Sequence, residues 1–264
     1  MVSLSVVARE ELLGTSVARR LEVSLRGTAS AASLDLAIGR ADMEIRDGAN
    51  AVRSVSTDVV ARGRPTLGLD DHDDEALRRL LEELVAAPVR LGFDPSKGVT
   101  SAEGLDAALD GAVVRDASLA EERDGLRGIA GDAVLLQSLL AAGLGPLPAS
   151  MARRAPAERD ARLRLPGLGE TTLHLSGTVA EDESGLPALQ VKGGLALDAK
   201  FSGEPDAAPP PHIGAVALDR VEGEATTSYV NAGDLPVQGQ WAVTIPFAGG
   251  HSIRRTTSFI LVVR

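Results

Sequence analysis

The chain has 264 residues, a formal net charge of −10 and no cysteine. Its 44% hydrophobic residues are enough for the core of one large domain or two small ones. The acidic balance argues against a nucleic-acid-binding protein, and the lack of cysteine excludes disulfides and thiolate metal sites.

The first quarter of the chain, residues 2–60, has the alternating pattern of β-strands. Leu21, Val23 and Leu25, for example, alternate with polar residues, which is the period of a half-buried strand. The residues after Met1 carry neither the basic leader nor the long apolar run of a signal peptide, and we interpret them as a strand. Glycines at regular intervals predict turns, so the region is expected to be an antiparallel meander. These predicted turns include Gly27, Gly39, Gly48 and Gly63.

The pattern then changes to a helical period over residues 77–85, which end before Pro88. An acidic run, Asp70 to Glu75, precedes this helix. Acidic residues at a helix start bind free backbone N–H groups and complement the helix dipole, and this is the favoured interpretation. The alternative is a divalent metal site, since carboxylate oxygens are ligands for hard cations.

A second helical block fills the middle of the chain, with a short helix near 105–109 and a longer one across 119–142. Gly125, Gly128 and Gly131 lie in the longer segment, and each costs about 1 kcal/mol relative to alanine. The sequence therefore predicts a break near the start of that helix. No apolar run reaches the roughly 20 residues of a membrane-spanning helix.

From residue 162 onward the chain returns to strands. Arginines at 153, 154, 159, 162 and 164 form the only basic cluster, which is interrupted by acids and predicts a solvated strand edge. Residues 204–211 are rich in proline and predict a stiff surface loop. The other predicted strand positions are Leu173, Leu175, Val179, Leu189, Val191, Leu195, Leu197, Phe201, Val216, Leu218 and the alternating residues of 253–263.

Residues 221–245 predict a hairpin that carries the only tyrosine and the only tryptophan, Tyr229 and Trp241. Both fall on the apolar faces of alternating strands, and Asn231, Gly233 and Asp234 supply the turn. We expect the two rings to face each other across the strands and to stabilise the sheet. A binding platform is the alternative.

No familiar catalytic, phosphate-binding or dinucleotide-binding motif occurs in the chain, so no catalytic, cofactor or metal residue is assigned. Residues 181–187 carry two glutamates and an aspartate, and we interpret them as a hairpin tip rather than an acid–base pair. His174 is predicted on a solvated strand face. His212 and His251 follow loop-like segments, and the sequence places no carboxylate to orient either imidazole.

Four turn motifs resemble those of a bacterial family of exported, often lipid-anchored proteins, a domain of unknown function. They are FDPSKGV at 93–99, GLD at 104–106, GPLP at 145–148 and GDLP at 233–236. The chain lacks a lipidation cysteine and the G-D-x-W motif that the family has near the position of residues 159–165. The resemblance implies a β-rich fold and an extracytoplasmic location, in the periplasm or at the cell surface, and no established activity.

We therefore predict an α+β protein, mostly antiparallel sheet with the helical middle third packed on it. Residues 1–264 are expected to form one domain, or two β halves, 1–100 and 160–264, around the helical segment 101–150. The favoured function is a non-enzymatic binding or structural protein of the cell envelope, whose ligand is an apolar molecule such as a lipid or whose partner is an envelope protein. A hydrolase with scattered Asp, Glu and His residues and a homo-oligomeric scaffold are the alternatives.

Overall fold

The structure is a computed structural model that describes residues 1–47, 51–58, 71–165, 167–196, 198–202 and 215–264. For Ala51 and residues 71–74 only the backbone is described. The predicted turns at Gly48 and Gly63, the loop 204–211, Leu197 and His212 lie outside this part of the chain.

The described residues form mostly antiparallel strands, with helices in the middle of the chain, as the sequence predicts. The strands are β1 (Val2–Leu13), β2 (Val17–Ala29), β3 (Ser33–Asp47), β4 (Ala51–Ser56), β5 (Pro88–Asp94), β6 (Gly98–Glu103), β7 (Pro156–Leu165), β8 (Gly169–Glu181), β9 (Pro187–Leu195), β10 (Glu222–Ser228), β11 (Gln238–Pro246) and β12 (Ser252–Val263). The helices are α1 (Asp71–Leu84), α2 (Leu105–Arg115), α3 (Ala120–Ala130) and α4 (Asp132–Ala142). Among the described helices none is long and apolar enough to cross a membrane.

The chain divides into two compact units. Unit 1 contains Met1–Arg9, Ser16–Leu136 and Phe259–Arg264, and unit 2 contains Glu10–Thr15 and Gln137–Ser258. Strands β1 and β12 and helix α4 therefore contribute residues to both units. The prediction of two β halves, 1–100 and 160–264, around the helical segment 101–150 stays a prediction. That residues 1–264 form one domain stays a prediction.

Unit 1 is a sheet with three helices on one face. Its strand order is β6-β5-β3-β2-β1-β12, with β4 beside β3. The predicted turns at Gly27 and Gly39 are wrong, because Gly27 lies inside β2 and Gly39 lies at a register shift inside β3. Helix α1 packs on β3 and β4, and α2 packs on α1 and α3. Alternate residues of the strands bury their side chains under these helices, whereas the opposite face carries ion pairs such as Arg40 with Asp42. The buried residues include Leu21, Leu25, Leu34, Leu36, Ile38 and Met43 from the strands and Leu77, Leu80, Leu81 and Leu84 from α1.

The helical middle differs from the prediction in the position of its break. Gly125 and Gly128 lie inside α3, and the chain leaves the helix at Gly131, which has an extended backbone. A Cβ atom at Gly131 would lie 2.8 Å from the Arg127 carbonyl oxygen and 3.0 Å from an Asp106 carboxylate oxygen. The break between α3 and α4 therefore favours a residue without a side chain at this position.

After the break at Gly131, the Asp132 carboxylate lies at the start of α2. Its Oδ1 accepts a hydrogen bond from the Leu105 N–H at 2.9 Å, and its Oδ2 accepts from Gly104 at 3.2 Å and Asp106 at 3.3 Å. Gly104 precedes α2 and has no side chain that could cap it. An aspartate 27 residues away along the chain therefore supplies the cap.

Two motifs on which the family resemblance rests have local structural roles in unit 1. Asp94 Oδ1 accepts hydrogen bonds from the Ser96 N–H at 2.7 Å and the Lys97 N–H at 3.1 Å, and Gly98 has φ 82°. Gly104 has φ 117°, and a Cβ there would lie 2.0 Å from the Pro88 carbonyl oxygen. These residues define a turn and a helix entry, which many unrelated folds require.

Unit 2 is a sheet with strand order β12-β11-β10-β9-β8-β7 that buries the C-terminal half of α4 on one face. Residues of β9, β10 and β11 pair in antiparallel register, and Ala225 lies opposite both Val191 and Trp241. Three predicted strand positions are wrong. Phe201 lies outside the strands, Val216 forms only an isolated bridge to Phe247, and Leu218 begins a 3₁₀ turn that ends at Arg220. The core of this unit includes Leu139, Leu144, Leu163, Leu165, Leu173, Leu175, Val179, Val191, Val243, Ile245 and Phe247.

Candidate functional site

The two aromatic residues of the β10–β11 hairpin are buried but do not face each other. Trp241 lies opposite Ala225, and Tyr229 follows the end of β10, four residues further along. The Trp241 ring occupies the space beside Gly223, where a Cβ atom would lie 2.6 Å from the ring. The predicted facing pair is therefore wrong, because the indole packs against a glycine. With Tyr229 0% and Trp241 5% exposed, neither ring offers a binding platform.

Arg159 departs from the solvated strand edge predicted for the basic cluster. Strand β7 does lie at the end of the described strand order, and Arg162 and Arg164 are exposed. Arg159, however, is half-buried on the face that carries Ala161 and Leu163, because alternate residues of a strand share a face. Its guanidinium Nη1 donates to the Ala141 carbonyl at 3.2 Å and to Thr227 Oγ1 at 3.0 Å.

Three side chains of unit 2 bind the carbonyl groups at the end of α4. Arg159 binds the Ala141 carbonyl, the Thr227 hydroxyl donates to the Ala142 carbonyl at 3.0 Å, and the Tyr229 hydroxyl donates to the Gly143 carbonyl at 3.4 Å. These carbonyl groups have no partner within the helix. Sequence reasoning missed this cluster, since its members come from α4, β7 and the end of β10.

The electrostatics of this cluster favour a structural role. Burial lowers the pKa of the Arg159 guanidinium. Burial also raises the pKa of the Tyr229 hydroxyl, and the nearby Arg159 charge partly offsets this rise. The C-terminal end of a helix carries partial negative charge, which stabilises a guanidinium and disfavours a bound anion. We therefore assign the cluster to holding α4 on the sheet.

The predicted hairpin tip at 181–187 is confirmed, since β8 ends at Glu181 and β9 begins at Pro187. The Asp182 carboxylate accepts hydrogen bonds from the Ser184 N–H at 2.8 Å, the Leu186 N–H at 2.9 Å and the Gln238 amide at 3.0 Å. Hydrogen bonds from the Ser228 hydroxyl and these donors hold the pKa of Asp182 below its usual value. The carboxylate thus ties the β8–β9 turn to the neighbouring hairpin.

Replacing Asp182 with asparagine is expected to destabilise the protein at about pH 7 more than at about pH 3. A depressed carboxyl pKa stabilises the fold above the usual aspartate pKa of about 4, and this contribution is lost as the pH falls below it. Urea unfolding of both proteins at the two pH values measures the difference. Glu183→Gln, on the exposed neighbour, is the control, and a pH-independent Asp182→Asn effect would contradict the expectation.

The structure places His174 on the exposed face of β8, as predicted, and gives it a carboxylate partner. His174 Nδ1 lies 2.6 Å from Asp160 Oδ1 on β7, directly opposite in the register. Both side chains are largely exposed, at 61% and 69%. His251 is exposed in the β11–β12 turn. His212 lies outside the described residues, so whether it meets either of the other two histidines stays a prediction.

A polar groove of about 560 Å³ lies on the exposed face of unit 2, beside His174 in the register. Gly194 lies between His174 and Glu222, and Ala242 lies opposite Glu224. Neighbouring strands are only about 4.8 Å apart, so side chains on one face of the sheet stand side by side. Small residues such as Gly194 and Ala242 therefore leave a trough between the longer side chains around them. The groove is lined by Lys192, Gly193, Gly194, Leu195, Asp219, Val221, Glu222, Gly223, Glu224, Ala242, Thr244 and Arg254.

The groove presents charges of both signs. Arg254 and Glu224 form an ion pair at 3.4 Å. Lys192, Asp219 and Glu222 make no ion pair with any other described residue. The alternation of Glu222 and Glu224 with apolar residues is visible in the sequence, but the groove depends on the strand register, which is not.

No group of three or more metal-ligating side chains occurs among the described residues, a set that omits the side chains of 70–74. The backbone of α1 begins at Asp71, so most of the acidic run lies in the first turn of the helix. Its role as a cap or a metal site stays a prediction.

No protein-family model matches the chain, and neither does any curated protein. Among solved structures, the chain is similar to one described as "Lipid-protein interactions in lipovitellin". The two are 11% identical with a TM-score of 0.46, over 99% of this chain and 25% of the other. The chain thus spans about a quarter of that protein's chain, and a likeness at this level carries no argument about function.

Proposed function

We propose that the protein is a non-enzymatic binding protein that holds its ligand in the groove of unit 2. The observation that supports the proposal is the groove itself, in which Gly194, Ala242 and Thr244 lie between charged side chains. Its volume of about 560 Å³ is in the range of small-molecule sites, which are typically about 300–1,000 Å³. The extracytoplasmic location in the cell envelope belongs to the same proposal, and rests on the family resemblance.

The apolar ligand predicted from the sequence remains part of the proposal in a restricted form. The groove lining is charged at Lys192, Glu222 and Glu224, whereas the aliphatic residues of unit 2 are packed against one another and α4. A lipid would therefore place its polar headgroup, rather than its acyl chains, in the groove.

Filling the groove is expected to abolish ligand binding. Thr244→Trp adds a large side chain to the groove lining on β11. Thr226→Trp adds the same side chain on β10, on the same face of the sheet but outside the lining. Native mass spectrometry of the freshly purified proteins should show a bound small molecule in the wild type and in Thr226→Trp, but not in Thr244→Trp. An adduct that persists in Thr244→Trp, or a wild type without any adduct, would count against the proposal.

A further inference from the structure

We propose that the groove of unit 2 recognises a small zwitterionic group, in which an ammonium and an anionic group are joined by a short linker. This inference rests on the proposed function and names the class of ligand. It starts from three charged groups of the lining that form no ion pair with any residue in the part of the chain that the structure describes: the ammonium of Lys192 and the carboxylates of Asp219 and Glu222.

The strand register fixes the spacing between the free cation and a free anion. Lys192 lies opposite Glu224, and Gly194 lies opposite Glu222, so Lys192 and Glu222 are diagonal neighbours across β9 and β10. Diagonal neighbours on one face of an antiparallel pair are about 7–8 Å apart. A ligand that bridges them therefore needs opposite charges only a few bonds apart.

The rest of the lining assigns the polarity of the ligand. Arg254 pairs with Glu224 at 3.4 Å, which leaves Lys192 as the cation of the lining to which we assign the anionic group of the ligand. Asp219 and Glu222 accept hydrogen bonds from an ammonium, which a quaternary amine cannot donate. Gly194 contributes no side chain, which lets the linker lie close to the sheet. An ethanolamine phosphate group has these properties, and it occurs both as a soluble molecule and as a lipid headgroup.

Isothermal titration calorimetry with O-phosphoethanolamine tests the proposal directly. Exposed charge contacts are individually weak, and phosphoethanolamine makes one such contact more than ethanolamine or inorganic phosphate, so it should bind up to about fivefold more tightly than either. Lys192→Gln is expected to reduce the affinity to that of ethanolamine, and Glu222→Gln to that of phosphate. Lys97→Gln and Glu158→Gln, both exposed and outside the groove, should bind like the wild type.

Vesicle sedimentation distinguishes the two sources of the ligand. Vesicles of phosphatidylcholine with phosphatidylethanolamine should bind the protein more than phosphatidylcholine alone if the group is a lipid headgroup, and equally if it is a soluble molecule. Either result is compatible with the proposal when phosphoethanolamine binds. Equal affinities for phosphoethanolamine, ethanolamine and phosphate, or no effect of Lys192→Gln and Glu222→Gln, would overturn it.

The Thr244→Trp variant separates this inference from the proposed function. If a copurified molecule is lost in Thr244→Trp but phosphoethanolamine does not bind the wild type, the groove is a binding site and the ligand class is wrong. If phosphoethanolamine binds Thr244→Trp as tightly as the wild type, the groove is not the site and both proposals fail. Urea unfolding of each variant confirms that it is folded.

Discussion

Replacing Gly143 with alanine is expected to lower the free energy of unfolding by about 3 kcal/mol or more. Gly143 follows α4 with φ 110°, a conformation that is strained for any residue with a side chain. A Cβ atom there would also lie 1.8 Å from Thr227 Oγ1, which binds the end of the same helix. The substitution thus strains the backbone and displaces a hydroxyl that caps α4.

Urea unfolding at neutral pH measures the effect, and a nearby glycine provides the control. Gly145 has no positive φ, and its nearest atom to a Cβ is 3.9 Å away, so Gly145→Ala should change stability little. If Gly143→Ala does not fold, the double variant with Thr227→Gly should recover part of the loss, because it removes the three Thr227 side-chain atoms that lie within 2.6 Å of the added Cβ. Equal stability of Gly143→Ala and Gly145→Ala would contradict the assignment.

Replacing Asp132 with alanine is expected to cost about 2–3 kcal/mol. The substitution leaves the N–H groups of Gly104, Leu105 and Asp106 without the carboxylate that caps α2. Hydrogen bonds to a charged acceptor contribute more than neutral ones, and the positive end of the helix dipole adds to them.

Urea unfolding of two Asp132 variants tests the cap. Asp132→Asn retains one acceptor oxygen and should cost roughly half as much as Asp132→Ala. Asp124→Ala, on an exposed residue of α3, is the control and should have an effect within about 0.5 kcal/mol. An Asp132→Ala protein as stable as Asp124→Ala would show that water replaces the carboxylate.

The sequence predicts the features of this fold that depend on neighbouring residues. The alternation of Leu21, Val23 and Leu25 is typical of a strand wherever it occurs, and the glycine and aspartate of 181–187 define a turn by their own backbone preferences. The β-rich fold with central helices follows from such local signals. The break between α3 and α4 was placed wrongly, because all three glycines have the same propensity and only Gly131 meets a neighbouring element.

The candidate site could not be predicted, because it depends on residues brought together from distant parts of the chain. Nothing near Arg159 in the sequence indicates that its guanidinium binds a helix end 18 residues earlier. The groove depends on Gly194 lying opposite Glu222, and a shift of one residue in the register of β9 would place other residues there. Periodicity identifies the faces of a strand but not its partners.

The burial of Trp241 against Gly223 has a spectroscopic consequence. The chain contains one tryptophan and one tyrosine, and both belong to unit 2. Intrinsic tyrosine and tryptophan emission therefore originates wholly in that unit, whereas the far-ultraviolet helical signal of α1, α2 and α3 originates in unit 1. The two signals give each unit its own optical label, so melting curves with different midpoints would show that the units do not unfold in one cooperative step.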